Sequence, residues 1–582
     1  MIRKLIRQML AAQTLAALTV SLCLLIDNIM IGRFLGVDAI AAYGLANPIL
    51  MLTGAIGSLL AAGVQVVCSK SLGSGSREET NRGYSSAIAL MLGISLPLTV
   101  LVFLLRGPLA STMGAGNEGE LYRETRDYLG GFVLGAPASM GALVLVPFLQ
   151  MAGKSGLLIA AVLGMTAADV AFDLLSIHVF HAGMFGMGLA SSLSYYAAVL
   201  TALGYFLSKK CVFSFSPKLV SAAKIRELVK GGVPTVFTMA SSVVFVFLMN
   251  RILLGLGSSE AVAAFSVLTT IGNAGNCIST GIGGVSLTLS GILFNEEDRN
   301  GLKELVRRLS GYAVILGAAV GVLLAVFAPA LVQIFIPEEN ARNVQELTAL
   351  GLRLFALGLI PCAFVNVLKN LYQGCGRIRL TEIISVLECA VMPAAAAFLL
   401  SRIWGVTGAW LYFAAGEALT VLCAVLYVWK RNGAPTLAAE PFLLLRGNFG
   451  VKPENLLETD IRSLEDVMKA AKAAEDFCRR NGQSERMCSH IALCIEEMAG
   501  NTVIHGFGKD GKNHLSVRVQ HSGNRWVLRF RDDCSAFDPV SYFPAGGVGE
   551  NLGIRLVTAM ADDIRYTYSL NLNNLTILLT AS

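Results

Sequence analysis

DAIAAYGLANPI, residues 38–49, is echoed by EAVAAFSVLTTI, residues 260–271, at an offset of 222. Two further stretches repeat at nearly the same distance. LQMAGKSGLL (149–158) returns as YQGCGRIRLT (372–381), offset 223, and GMGLASSLSYY (186–196) returns more loosely as GVTGAWLYFAA (405–415). Three weak matches at one spacing argue for a duplicated unit, and weak internal symmetry of this kind is how repeated membrane lobes announce themselves.

A helix that crosses a bilayer needs about 20 mostly apolar residues. Twelve stretches qualify: 13–35, 45–69, 84–105, 128–149, 156–179, 184–207, 232–256, 265–293, 311–336, 350–371, 380–401 and 408–429. A short interfacial helix is expected near 218–230. Six spans per copy is an even number, so both copies enter the membrane in the same sense. Such parallel repeats pack around an axis along the membrane normal with a substrate cavity between them. The expected fold is therefore a mostly α membrane protein of twelve transmembrane helices in two parallel six-helix repeats. The first lobe is residues 1–215 and the second is 216–431, followed by a linker, 432–448, and a soluble domain, 449–582.

Charge supports that division. The mean hydropathy is +0.63. Residues 1–431 hold 30 Lys/Arg and 22 Asp/Glu, whereas 432–582 hold 16 and 18 in a third of the length. The positive excess belongs to the membrane part and the tail is slightly acidic, which excludes a nucleic-acid surface as the source of the basic balance. With the N-terminus inside, the inner loops carry Lys70, Arg77, Arg82, Lys154, the run Lys209 to Lys230, Arg299 to Arg308, Arg377, Arg379, Lys430 and Arg431. The positive-inside rule then puts both termini in the cytoplasm of a multi-pass protein of the cytoplasmic (inner) membrane. The bilayer is its first partner, and the tail faces cellular ATP. The basic start (Arg3, Lys4, Arg7) leads into an uncleaved first span. Twelve scattered cysteines without ligand spacing read as small apolar fillers.

Ionisable groups at membrane depth are expensive and mark function. Asp27 lies in the first span, and Asp169 and Asp173, four apart on one helical face, lie in the fifth. Like charges so close favour a shared proton or a bound cation. Glu388 and Glu417 are weaker candidates, and Lys369 is expected to snorkel from a span end.

The motifs DNIMIGRFLGVDAIAAYGLANPI (27–49), AAGVQVVCSKSLGSGSREETNR (61–82), PFLQMAGKS (147–155) and DVAFDLLSI (169–177) resemble the multidrug and toxic compound extrusion (MATE) family, over about 430 residues. The resemblance implies export of organic, multidrug-type small molecules by exchange for Na⁺ or H⁺. It places coupling in the first lobe, on an acidic residue of span 1 and an Asn-xxx-Asp of span 5. Asp27 and Asp173 match those positions, and Asp169 stands where the Asn is usual.

After WKRNGAPTLAAEPF the pattern turns soluble. FGVKPENLLETDI, HLSVRVQHSGNRWVLRFRDD, RYTYSL and NNLTILLT read as strands, with a turn at Ser522–Asn524. SLEDVMKAAKAAEDFCRR, capped by Ser463, ERMCSHIALCIEEMAGNTVIHGF and NLGIRLVTAMADDI read as helices. Helices on one face of a mixed sheet make an α/β sandwich. Glu497 and Asn501 share a helical face and could hold Mg²⁺ near a terminal phosphate. RDDCSAFDP (531–539) ends a strand with a carboxylate suited to an adenine amino group, and PAGGVGENLGIRLV (544–557) is a glycine-rich loop entering a helix.

In this order and spacing the three segments resemble the GHKL ATPase fold (histidine-kinase-like), in its anti-sigma-factor serine kinase branch. By position, Glu497 matches the general base, Asn501 the Mg²⁺ ligand, Asp532 the adenine-binding Asp, and Gly549 and Gly553 the phosphate loop. Cys534 and Asn551 stand where glycines are usual. No histidine lies between His181 and His490, which leaves no phospho-accepting helix of the histidine-kinase type.

The combined expectation is a cation-coupled antiporter whose ATP-binding tail regulates transport or signals to a cytoplasmic regulatory protein, nucleotide binding being expected ahead of turnover. Two alternatives are a membrane sensor whose tail is a serine kinase, and a flippase for a lipid-linked precursor. A single nucleotide domain without a GxxxxGK[ST] loop argues against direct ATP-driven export.

Overall fold

A computed structural model of the chain describes residues 2–35, 37–73, 76–208, 211–256, 259–335, 342–432, 438–447, 449–508, 513–539 and 552–581. Lipid offers peptide groups no water, so a long apolar stretch closes its hydrogen bonds within itself as a helix. The first half does so in α1 (Ile2–Phe34), α2 (Val37–Gly73), α3 (Arg77–Ala110), the pair α4 (Glu120–Val133) and α5 (Ala136–Met151), α6 (Ser155–Leu175) and α7 (Gly183–Phe206). The second half follows with α8 (Ala222–Gly255), α9 (Ser259–Asn295), α10 (Arg299–Phe335), the pair α11 (Arg342–Ala356) and α12 (Leu359–Gly374), then α13 (Ile378–Val386), which runs through a wide turn into α14 (Met392–Trp410), and α15 (Tyr412–Asn432). Among the described residues nine helices are long and apolar enough to cross alone, and each bent pair adds one. With the 33-residue α1, each half has six spans.

The bends reveal the duplication more sharply than the sequence echo does. The fourth span turns by 45° between α4 and α5, and its counterpart by 49° between α11 and α12. Gly135 and Gly358 occupy the two bends, each donating its N–H to the carbonyl three residues earlier. A side chain at Gly135 would strike Ser192 of α7, and one at Gly358 would strike Phe413 of α15. The expected interfacial helix near 218–230 is not separate. Residues 222–230 are the opening turns of α8, kept continuous because Leu228 and Gly232 pack directly on Gly63 and Leu59 of α2.

Beyond the short α16 (Ala439–Phe442), the tail forms a sheet in the order β1–β2–β3–β5–β4, with β1 (Leu456–Ile461), β2 (Leu515–Ser522), β3 (Arg525–Asp532), β4 (Asp563–Ser569) and β5 (Leu572–Thr580). Every neighbouring pair is antiparallel rather than mixed, because tight turns join β2 to β3 and β4 to β5 and leave no parallel crossover. Three helices, α17 (Leu464–Arg480), α18 (Glu485–Asn501) and α19 (Leu552–Met560), cover one face. Strand alternation sends Val517, Leu528, Phe530 and Ile577 beneath them. Ser463 and Asp466 form a reciprocal cap at the start of α17.

Candidate functional site

Two constellations carry chemistry, one inside the first lobe and one in the tail. In the lobe, the four-residue spacing on α6 turns Asp169 and Asp173 toward α1, where Asp27 projects. All three are buried, at 2%, 0% and 5% exposure respectively. Asp27 Oδ2 accepts from Ser191 Oγ of α7 at 3.2 Å, and Asp169 faces Asp27, Ser194 and Cys23. Among the described residues, neither oxygen of Asp173 has a hydrogen-bond partner, nor has Asp27 Oδ1 or Asp169 Oδ2. Among the described residues, the charges that act on Asp27 and Asp173 are the other carboxylates of this cluster.

The second lobe treats its acid differently. Lys369 does not snorkel: it is 8% exposed and forms an ion pair with Glu388, whose other oxygen accepts from Asn366 Nδ2 at 3.3 Å. The wide turn Leu387–Val391 carries Glu388 against α12 and so supplies the partner that holds Lys369 inside. Carboxylate oxygens of Glu388 and Glu417 and the Cys362 sulfur lie within 4.8 Å of one another.

In the tail, α18 runs out at Asn501 into a wide turn, Thr502–Gly506. Opposite it stands Asp532 at the end of β3. Together with His505, Phe537, Tyr566 and Asn573 they line a cavity of about 480 Å³, within the usual size of ligand pockets. Asp532 Oδ1 accepts from Asn573 Nδ2 at 2.7 Å and from Cys534 N at 3.0 Å. The second oxygen has no amide donor among the described residues. Asn573 is in turn fixed by Tyr566 O–H (2.6 Å) and Phe537 N–H (3.2 Å), both donating to its Oδ1. Sequence reading missed Asn573, a strand residue in a run of asparagines. The pairing of Asp532 with Asn573 across β3 and β5 is the signal that finds it.

Burial pushes the Asp532 carboxyl above its ordinary range, against the pull of the Asn573 and Cys534 donors. Burial and the adjacent Asp532 charge hold Cys534 well above the usual thiol range, so it stays a thiol. Glu497 lies outside the cavity wall, its carboxylate against Gly553, so that a side chain there would require Glu497 to move. Gly549 and Asn551 lie outside the described residues. The structure thus brings Asn501 to Asp532, and Glu497 to Gly553.

The family model MatE matches residues 13–175 and 234–399, in both lobes. The chain belongs to the MatE family. Its tail, 462–579, matches the model of a histidine kinase-like ATPase domain. Among relatives, this MatE chain is 24% identical over 407 residues to the multidrug export protein MepA of Staphylococcus aureus (strain NCTC 8325 / PS 47), covering 67% of this chain and 85% of that protein. It is 23% identical over 408 residues to the probable multidrug resistance protein NorM of Bradyrhizobium diazoefficiens, with the same coverage. A crystal structure of MATE in complex with MaL6 superposes with a TM-score of 0.69 at 20% identity, covering 74% of this chain and 96% of the other. A MOP superfamily transporter from Pyrococcus furiosus gives 0.67 at 19% with the same coverage. The fold is that of a MATE transporter, multi-pass in the membrane, with a histidine kinase-like ATPase domain appended.

Proposed function

We propose that this MatE chain exports organic, multidrug-type compounds across the cytoplasmic membrane in exchange for Na⁺ or H⁺, with its tail in the cytoplasm as a nucleotide-binding regulator. The relatives named as multidrug exporters support the substrate class, and the basic loops support the orientation. The observation that carries the coupling is Asp173, buried beside Asp169 and Asp27 with both oxygens unsatisfied. Uncompensated carboxylates at membrane depth must be neutralised, and the agent able to arrive and leave with each cycle is a proton or a small cation. Ser191 holds Asp27, and α6 presents the other two acids, so binding the cation and binding the substrate can alternate as the lobes rock.

In the tail, Asp532 would accept from an adenine amino group, with Asn573 and Tyr566 orienting it. Asn501 would hold Mg²⁺, Glu497 would serve as the base, and the Gly549–Gly553 loop would cradle phosphates. Bound ATP would supply a transferable phosphoryl group. The Asp532 carboxylate at the wall of the 480 Å³ cavity, oriented by Asn573, fits that ligand.

The decisive measurement is substrate efflux from proteoliposomes under an imposed Na⁺ or H⁺ gradient. The wild type should respond to one of the two gradients, and Asp173→Asn should not. Gradient-driven efflux that survives Asp173→Asn overturns the coupling site. Labelled ATP retained by the full chain but not by Asp532→Ala supports the tail's role, and label transferred to a serine on a second protein would move the reading toward the kinase.

A further inference from the structure

The helix-free face of the tail sheet is lined with arginines. In the strand register Arg518 stands directly opposite Arg529, and Arg531 lies two residues along. Like charges facing across strands destabilise a sheet unless a partner neutralises them. Glu458 of β1 pairs with Arg518 at 2.7 Å from within the tail, and the remaining partners come from the turn between α9 and α10. Arg518 reaches Asp298 at 3.0 Å, Arg529 donates to the Glu296 carbonyl at 2.9 Å, and Arg531 pairs with the Glu296 carboxylate.

The β4–β5 turn engages the other lobe. Leu570 donates its N–H to the Met151 carbonyl at 2.7 Å, and Asn571 lies directly against Gly153, where a side chain would strike its backbone nitrogen. Leu570 has φ +57° and Asn571 φ +61°. They are the two central residues of the tight hairpin that joins Ser569 to Leu572, a turn that needs positive φ at both. The Leu570 side chain is 6% exposed and belongs to the apolar cluster of Tyr372 and Cys375 of the second lobe and Phe442 and Leu444 of the linker. The tail therefore grips both halves at the face where the even-numbered spans end. At that same face the halves are already closed on each other, Gly63 against Leu228 and Gly291 against Ser69.

We propose that the arginine face and the Leu570 turn form a brake on the transporter's own lobes, and that occupancy of the Asp532 cavity sets its grip. The second clause rests on the nucleotide reading given above. Alternating access must part the lobes at this face, and a body fastened to both opposes that. The cavity is wired to the brake through adjacent residues. Asp532 follows Arg531, and Asn573 separates the Leu570 turn from Asn574, whose Oδ1 accepts from Arg531 Nε at 2.7 Å. Moving the Asp532–Asn573 pair to seat a nucleotide shifts both attachment points at once.

The test uses the full chain in proteoliposomes, with hydrogen exchange at the 565–575 segment reporting whether Leu570 N–H is held, and efflux measured in parallel. Arg531→Glu and Glu296→Arg should each speed exchange at Leu570 at least tenfold and raise efflux severalfold, while the double charge swap returns both to wild-type values. Faster exchange with unchanged or slower efflux overturns the brake, and so does a double swap that restores neither. Mg-ATP should change Leu570 exchange at least threefold in the wild type and not in Asp532→Ala, with retained labelled ATP counted separately. ATP that is retained but leaves exchange unchanged overturns the coupling and spares the nucleotide site. ATP that is not retained overturns the nucleotide reading and the coupling together, and leaves the brake to be judged by the charge swap.

Discussion

Glu388 in the second lobe lies against Lys369, so the acid and its counter-charge were buried together. In the first lobe, Asp27, Asp169 and Asp173 face one another, and among the described residues neither oxygen of Asp173 has a hydrogen bond. The lobes share span number, the bent fourth span and the glycine that bends it, so architecture does not explain the contrast. One lysine does. The effective penalty for taking an ion out of water is several kcal/mol after relaxation. The second lobe offsets the Glu388 charge internally and leaves Glu417 with a buried oxygen that has no partner among the described residues, whereas in the first lobe all three acids must take their neutralising charge from solution. A third solution appears in the tail, where Asp532 is stabilised by neutral donors from Asn573 and the Cys534 backbone at the wall of the cavity.

The contrast can be broken by removing the internal counter-charge. Lys369→Met should cost about 3–5 kcal/mol by stranding Glu388, read as a lowered unfolding midpoint in detergent. Lys369→Met with Glu388→Leu should recover most of it, and a double variant as unstable as the single would show that the pair is not the reason. Next in size, Asp173→Asn should lower gradient-driven efflux about 100-fold, near the upper end of a single coupling energy. Glu417→Gln should retain at least half of wild-type efflux; equal losses in the two variants would erase the distinction between lobes.

Smaller effects are expected in the tail. Asp532→Ala should weaken ATP binding about tenfold or more, the worth of a hydrogen bond to a charged group, measured by retained label on the full chain. Asn573→Leu should act in the same direction with a smaller loss, because it orients Asp532 without itself meeting the base. The least effect concerns pH. The Asp532 carboxyl is held above the ordinary range by burial, so it takes up its proton sooner than a free carboxylate as pH falls. An adenine amino group needs the unprotonated oxygen, so ATP affinity should decline on acidification in the wild type and stay flat in Asp532→Asn. A pH profile identical in the two would remove Asp532 from base recognition.

Span positions and the twofold repeat were legible because hydrophobic length is a local property, and lipid forces any such stretch to satisfy its own backbone. Strands β2 and β3 and the Ser463 cap were equally readable from alternation and local turn chemistry. The interfacial helix was misjudged because its separation from α8 depended on what Leu228 and Gly232 touch. The mixed sheet was misjudged because pairing direction is set between strands distant in sequence. For Lys369, end-of-span position favoured the surface, and only a wide turn in a neighbouring helix reversed that.

From the sequence alone came every membrane span, the duplicated lobes, the soluble tail and the acids worth examining, since these follow from composition and periodicity along one chain. Tertiary structure decided which acids have partners. It joined Asn573 to Asp532, turned Lys369 inward, and set Arg518, Arg529 and Arg531 against Glu296 and Asp298. The physical reason is that a buried charge is costed by the atoms around it, and those atoms come from helices and strands hundreds of residues away.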